Sequence, residues 1–140
     1  MVRLLCLAVA VALVAAQPAK EKKPMTDHDR VQGTWQLVSG ERAGQPFSAE
    51  VVKNIRLVFA GHQLVTHNKD RKTESRFTLH SDTKPAGIDL EMGKETGLGI
   101  YRLNGDDLTI AHGEVGDPRP TAFASTEKAP LTVMVLKRLK

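Results

Sequence analysis

The sequence predicts an all-β domain. Apolar and polar residues alternate with a period of two along most of the chain after residue 30, and turn residues interrupt the alternation at short intervals. Only one short segment has a helical pattern, so a parallel α/β fold, in which strands alternate with long helices, is not expected. An antiparallel meander of this size forms either a closed barrel or a sandwich.

The first 16 residues have the pattern of a secretory signal peptide. Arg3 supplies a short basic start, residues 4–14 are uninterrupted apolar, and small residues lead up to Ala16. The apolar run is too short to span a bilayer, which takes about 20 residues. Two alternatives are a buried core helix and a lipoprotein anchor. The N-terminal position argues against the first, and the leucines before Cys6 argue against the second.

We therefore expect an exported protein, periplasmic or extracellular, whose mature chain begins at Gln17 and has no stable membrane insertion. Cys6 is the only cysteine and would leave with the signal peptide. A mature chain without cysteine has no disulfide, no thiolate metal ligand and no thiol nucleophile.

Residues 17–30 are predicted to form a flexible polar tether, and residues 31–140 to form the folded domain. The tether segment is polar, contains proline and lacks periodicity. Without Arg3 the chain has 19 basic and 16 acidic residues, a net charge of +3. The excess is concentrated near the two ends, which we expect to be solvated tails; the alternative is contact with anionic polymers or lipid headgroups. Because no aromatic residues are interleaved with these charges, a nucleic-acid groove is not predicted.

The alternation predicts eight or nine strands in order. They cover residues 33–39, 55–60, 63–67, 76–80, 88–92, 97–103, 108–110, 121–123 and 131–139. Asn104-Gly105 is the strongest hairpin signal, because both central positions of a type I′ turn need positive φ. A short helix is predicted over 48–53, after the first strand, with Ser48 as its N-cap.

The first strand resembles the start of a lipocalin. Gly33 and Trp35 form a Gly-x-Trp motif like the one in the first strand of that family. In lipocalins the tryptophan closes the base of the barrel and an arginine from the last strand packs over it. The resemblance implies an antiparallel up-and-down barrel of about eight strands. It assigns the closing role to Gly33, Trp35 and Arg138, with Arg119 as a second choice for the cation.

A wider stretch, residues 31–138, resembles a family of uncharacterised secreted proteins from planctomycete bacteria that are themselves lipocalin-like. The matching pieces are QGTW at 32–35, KP at 84–85 with IDL at 88–90, GIY at 99–101, L-x-GD-x-L at 103–108, RPT-x-F at 119–123 and VLKR at 135–138. This resemblance implies the fold and export. It implies no activity.

Aromatic residues are only 4% of the chain, so each is a candidate core anchor. The predicted interior lining consists of Leu57, Phe59, Leu90, Tyr101 and Phe123. A barrel with small and aliphatic inward residues holds a small apolar or weakly polar ligand if they leave room. The alternative is a filled barrel that serves as a structural or protein-interaction module of the cell envelope, with an unspecified protein partner.

No motif predicts catalysis, a metal or a cofactor. The five histidines include no pair at the spacing of a local zinc site. No serine lies in a Gly-x-Ser-x-Gly elbow. Gly97-Leu98-Gly99 does not open a helix, so it does not cradle a phosphate. The chain is therefore not expected to be an enzyme.

The signal-peptide interpretation predicts the mature terminus. Amino-terminal sequencing of protein purified from its native host should begin at Gln17. An intact Met1 on protein that stays in the cytoplasm would contradict both the cleavage and the export.

Overall fold

The computed structural model describes residues 23–140, which form a closed antiparallel β-barrel. The predicted signal peptide, 1–16, and the first six residues of the predicted tether lie outside the described residues. In chain order the elements are α1 (Asp27–Val31), β1 (Gly33–Arg42), β2 (Gln45–Pro46), α2 (Ala49–Asn54), β3 (Ile55–Ala60), β4 (Gln63–Asn68), β5 (Arg71–His80), β6 (Ala86–Met92), β7 (Glu95–Asn104), β8 (Asp107–His112) and β9 (Thr132–Arg138).

Eight strands make the ring. From β3 to β9 each strand pairs with the next, and β1 joins β3 on one side and β9 on the other, all antiparallel. The two-residue strand β2 pairs only with the end of β1 and lies outside the ring. The predicted all-β, up-and-down, lipocalin-like barrel is therefore confirmed, and the sandwich is not formed.

The hairpin after β7 is present, but its turn is displaced by one residue. Asn104 pairs with Asp107, so the two central positions are Gly105 and Asp106 rather than Asn104 and Gly105. Of these central residues only Gly105 has positive φ, at 61°. Positive φ at the first central position alone is the pattern of a type II′ turn rather than the predicted type I′.

The predicted helix is present as α2, and Ser48 caps it. The Ser48 hydroxyl accepts a hydrogen bond from the Val51 amide at 3.3 Å, which satisfies one of the unpaired amides of the first turn. In chain order, α2 follows both β1 and β2.

A second helix, α1, occupies the end of the predicted tether. Thr26 and Asp29 form a reciprocal capping box at its start, a motif that stabilises so short a helix. The helix ends at Val31, which is buried. The predicted boundary between tether and domain at residue 31 is thus too late by about five residues, because α1 packs on the barrel.

The predicted strand at 121–123 is wrong. These residues lie in an irregular loop that runs from β8 to β9 without pairing to either. Pro118 and Pro120 precede them, and proline lacks the amide that a ladder needs. The strand predicted at 76–80 is longer than expected, because β5 begins at Arg71.

The barrel interior is packed at one end, which we call the closed end. Trp35 and Leu136 are fully buried there, and Phe59 meets Phe77 edge to face with ring centroids 4.9 Å apart. The buried core also contains Val31, Leu37, Leu57, Leu64, Ile88, Tyr101, Leu108 and Ile110. Burial of this many apolar side chains is the main source of the domain's stability.

Trp35 and Arg138 close this end of the barrel. They are register partners on β1 and β9, and the Arg138 guanidinium lies 4.3 Å from the centre of the Trp35 ring. The Trp35 indole donates to the Val31 carbonyl at 2.8 Å. Arg138 donates to the carbonyls of Gln32, at 2.7 Å, and Arg30. Arg138 therefore joins the first strand, the last strand and the end of α1.

Gly33 makes room for this contact. Its φ is 119°, a conformation that side chains rarely adopt. A Cβ added at Gly33 would also lie 3.2 Å from an Arg138 guanidinium nitrogen. Both observations explain why glycine begins β1.

Helix α1 covers the closed end through side-chain contacts. The Tyr101 hydroxyl donates to the Asp27 carboxylate at 2.7 Å. Burial, followed by the hydrogen bond to Asp27 and the Asp27 charge, raises the pKa of Tyr101 above its ordinary value. The His28 ring stacks on Phe77 with centroids 5.6 Å apart. Asp27 and His28 are therefore docked on the barrel.

Truncation of the closing pair should weaken the fold. We expect Trp35→Ala to lower the free energy of unfolding by about 3–5 kcal/mol. Arg138→Ala should lower it by about 2–4 kcal/mol, because it removes a cation–π contact and charge-assisted hydrogen bonds. Urea unfolding followed by circular dichroism measures both. Arg138→Lys keeps the positive charge but lacks the planar guanidinium group. Its free energy of unfolding should therefore lie between those of wild type and Arg138→Ala. Wild-type stability of Arg138→Ala would show that Arg138 is only a solvated tail residue.

The Tyr101–Asp27 contact should make stability depend on alkaline pH. The folded pKa of Tyr101 lies above the unfolded value of about 10, so its contribution is complete below pH 10 and is lost as the pH rises from there. Tyr101→Phe should lose about 1 kcal/mol at neutral pH and show a smaller alkaline loss than wild type. Because Tyr101 is the only tyrosine, phenolate absorbance reports its titration directly. A Tyr101 titration at its ordinary value would contradict the docking of α1.

Candidate functional site

The open end of the barrel contains a cavity of about 250 Å³. It lies at the end opposite Trp35, where the inward side chains become smaller. Its lining comes from seven barrel strands and the loop after β8: Leu57, Leu64, Thr66, Thr73, Ser75, Leu90, Met92, Gly97, Ile110, His112, Gly113, Glu114, Val115 and Met134. We call this space the mouth cavity.

The mouth cavity has one polar side. Thr66 and Thr73 are cross-strand partners on β4 and β5, and Ser75 follows two residues later on the same face. Ser75 donates weakly to the Leu64 carbonyl, at 3.4 Å. Each hydroxyl group can both donate and accept hydrogen bonds. Together they form an arc of small polar groups on the β4–β5 wall.

The remaining wall is mainly apolar. Leu57 and Ile110 are buried at the cavity floor, and Leu90, Met92 and Met134 stand around it. Methionine side chains adapt to irregular shapes because they are unbranched and polarizable. The cavity therefore combines an apolar surface with a few hydrogen-bonding groups on one side, which is the general chemistry of small-molecule pockets.

Two inward glycines on β7 play different structural roles. A Cβ at Gly99 would lie 2.8 Å from the Ala111 carbonyl and 3.1 Å from Ile88, so Gly99 permits close packing of the barrel wall. A Cβ at Gly97 would meet only the Leu90 carbonyl, at 3.9 Å. The missing side chain at Gly97 is therefore part of the volume of the mouth cavity.

A tight turn forms one rim of the cavity. The Glu114 amide donates to the Asp117 carboxylate at 2.9 Å, and the Asp117 amide returns a bond to the Glu114 carbonyl at 3.0 Å. The Glu114 carboxylate pairs with Arg42 on β1, which also donates to Thr132 on β9 at 3.1 Å. These contacts attach the rim to β1 and β9.

The loop that carries this rim is anchored on the outer face of the barrel by Arg119. Its guanidinium donates to the Gly99 carbonyl at 2.8 Å and to the Asp89 carboxylate at 2.6 Å. A Cβ at Gly87 would lie 2.8 Å from the same guanidinium, so that glycine lets Arg119 lie against the strands. Arg119 is thus far from Trp35, and its nomination as a second closing cation is wrong.

His80 completes the Arg119 anchor. Its Nε2 lies 2.8 Å from the second Asp89 oxygen. Burial raises the pKa of Asp89, but the hydrogen bonds from His80 and Arg119 and the nearby positive charges outweigh it, so this pKa lies below its ordinary value. The Asp89 carboxylate is therefore ionised at neutral pH and holds the loop through charge-assisted bonds.

The predicted interior residues divide into three groups. Leu57 and Leu90 line the mouth cavity, whereas Phe59 and Tyr101 are buried in the packed core below it. Phe123 does not line the interior. It packs on the outer face against Ile100, Ala111 and Val133, and the Arg102 guanidinium lies 4.8 Å from its ring centre. The assignment of Phe123 is wrong because the loop passes outside the barrel.

Sequence reasoning missed the polar arc of the mouth cavity. In the segment RKTES, at 71–75, both faces of the strand are polar, so the usual alternation of apolar with polar residues is absent. A subtler alternation is present, because Thr73 and Ser75 alternate with the charged Lys72, Glu74 and Arg76. Small hydroxyl residues on the inward face of a barrel strand indicate a solvated or ligand-lined interior.

The described residues, 23–140, contain no cluster of three or more histidine, cysteine or acidic side chains that could hold a metal ion. In the same part of the chain, none of the helices has the length and apolarity to cross a membrane. The mouth cavity offers hydrogen bonds from the hydroxyl arc and apolar contact, together with the His112 ring and the Glu114 side chain near its rim.

The closed ring, the Trp35–Arg138 contact and the cavity at the opposite end together place this chain in the class of small lipocalin-like β-barrels. No protein-family model, curated protein or solved structure matches the chain.

Proposed function

We propose that this protein is an exported barrel that binds one small, largely apolar molecule in the mouth cavity. The observation that carries the proposal is the division of the interior. The closed end is tightly packed, whereas the open end leaves about 250 Å³ beside the missing side chain of Gly97. Export rests on the signal pattern at 1–16, and the resemblance to secreted planctomycete proteins supports it.

The dimensions and lining of the cavity define the class of ligand. Its volume is slightly below the roughly 300–1,000 Å³ of common small-molecule pockets, so the ligand is smaller than a typical drug-sized molecule. The apolar wall of Leu90, Ile110 and Met134 contacts its body. One hydrogen-bonding group of the ligand faces Thr66, Thr73 and Ser75, which sets its orientation.

A second function, a structural or protein-interaction module of the cell envelope, is favoured by the other half of the barrel. Trp35, Phe59, Phe77 and Leu136 fill the closed end, and a filled barrel contacts partners only through its outer face and loops. The two functions differ in one observable, which is whether a small molecule enters the open end.

Native mass spectrometry of protein purified from its host tests the ligand directly. We expect a co-purifying small molecule with an apolar body, released on unfolding. Wild-type protein that carries no such molecule, and that gives no chemical-shift change at the mouth cavity on screening with small amphipathic compounds, would favour the structural module.

Substitution at Gly97 separates binding from folding. Gly97→Leu places an apolar side chain in the mouth cavity. We expect the ligand's affinity to fall about 5- to 150-fold, which corresponds to a steric cost of about 1–3 kcal/mol. Thr96→Leu is the matched control, because Thr96 is exposed on the same strand. Thr73→Val tests the hydroxyl arc. It should lower the affinity for a ligand that hydrogen-bonds to the arc, but should leave the affinity for a purely apolar ligand nearly unchanged. Equal affinity of wild type and Gly97→Leu would contradict the assignment of the cavity.

A further inference from the structure

Positive charge is concentrated on one part of the barrel. Residues 53–76, which span β3, β4 and most of β5, contain six basic and two acidic residues, a net charge of +4. The whole described chain, 23–140, has 17 basic and 15 acidic residues, a net charge of only +2. The rest of the described chain therefore has a net charge of −2. The three basic residues at the C-terminal end, Lys137, Arg138 and Lys140, are paired with Asp106 or Asp107.

Two of these basic side chains, with a histidine between them, form a row on the outer face. Arg56 on β3 pairs in register with His67 on β4, and His67 pairs with Lys72 on β5. Neighbouring strands are about 4.8 Å apart, so the row is roughly 10 Å long. Arg56 and Lys72 thus lie on the same face with one strand between them.

The row lies beside an open groove of about 370 Å³. Thr34, Gln36, Arg56, Val58 and His67 line its floor, and Lys53, Asn54 and Lys69 line the side next to α2. We call this surface the basic groove. Its lining includes no carboxylate, although Glu50 reaches Lys69 from outside at 2.8 Å and Glu74 reaches Lys72 at 3.2 Å.

Lys53 and Arg56 are the free cations of the basic groove. Within residues 23–140 neither forms an ion pair. The groove floor beside them is held in place, because the Gln36 amide donates to the Val52 and Ile55 carbonyls at 3.1 and 3.0 Å. An anionic ligand would thus meet two unpaired cations over an ordered surface, which lowers the cost of binding.

We propose that the basic groove binds an anionic polysaccharide, a linear polymer of sugars that carry carboxylate or sulfate groups. The cations are spread along an open groove rather than converging on a point, which fits a polymer with repeated charges better than a single small anion. Thr34 and Asn54 add groups that hydrogen-bond sugar hydroxyls. This site is separate from the mouth cavity and does not depend on its ligand.

Two other anionic partners fit the groove less well. Its lining contains no phenylalanine, tyrosine or tryptophan, and single-stranded nucleic acids bind mainly through base stacking on such side chains. A bilayer surface requires a broad apolar face as well as cations, whereas the lining of the groove includes one apolar side chain, the half-buried Val58.

Titration with heparin and with polygalacturonate across a range of salt concentrations tests the proposal. Wild type should bind at low salt and weaken as salt rises, because binding releases counterions. The double variant Lys53→Gln/Arg56→Gln should lose affinity at least about tenfold, and its slope of log affinity against log salt should fall by about 1–2. The control Lys94→Gln/Lys128→Gln has the same net charge but changes exposed lysines outside the groove, and should change affinity less than about threefold.

The outcomes are distinct. Binding of heparin alone supports recognition of sulfate, and binding of both polymers supports recognition of carboxylate as well. Equal losses in the two double variants, or no binding of either polymer by wild type, would overturn the proposal. Tighter binding of single-stranded DNA or of phosphatidylglycerol vesicles than of both polymers would overturn the choice of partner. Melting temperatures of both variants verify folding, and Arg56→Gln alone replaces the groove variant if that variant is unfolded.

Discussion

Closure of the barrel depends on the contact between Trp35 and Arg138. The two residues lie on the first and last strands and form the register pair at the closed end of the β1–β9 pairing that converts an open meander into a ring. Closure removes the exposed edges that an open sheet would present to other chains. Arg138 also donates hydrogen bonds to two carbonyls at the end of α1, and these bonds hold the helix over the closed end. The packed core beneath Trp35 is therefore covered by the Arg138 side chain and by α1.

Sealing one end allows the other to remain open. The closed end supplies the buried apolar contacts on which stability rests, and the open end does not have to contribute equally. Thr66, Thr73 and Ser75 face the interior there, where a stability-optimised core would have aliphatic side chains. The rim is instead held from outside, through Arg42 and Glu114 on one side and Arg119 and Asp89 on the other. Polar anchors of this kind hold the loop in place without filling the mouth cavity.

The proposed activities occupy different surfaces of the same ring. Alternation along each strand sends one set of side chains inward and the next outward. On β3 and β4, Leu57 and Thr66 face the mouth cavity while Arg56 and His67 face the basic groove. Neighbouring residues can therefore contribute to two independent sites, one enclosed and mainly apolar, the other open and cationic. A ligand in the cavity and a polymer on the outer face could be bound together by one small domain.

The sequence alone determined the all-β class, most strands and the helix α2, because these depend on local periodicity and a side-chain cap. The closing pair was predicted from the resemblance of the first strand to that of lipocalins. The polar start of β5 could not be found in this way, since its inward residues line the mouth cavity rather than a core. Only the tertiary structure decided that Asp27 and His28 belong to the domain, because their contacts, Tyr101 and Phe77, are distant in sequence. It likewise decided that Phe123 lies outside the ring and that Arg56, His67 and Lys72 form one row. Position across strands is set by register and by the path of loops, and neither is encoded in local alternation.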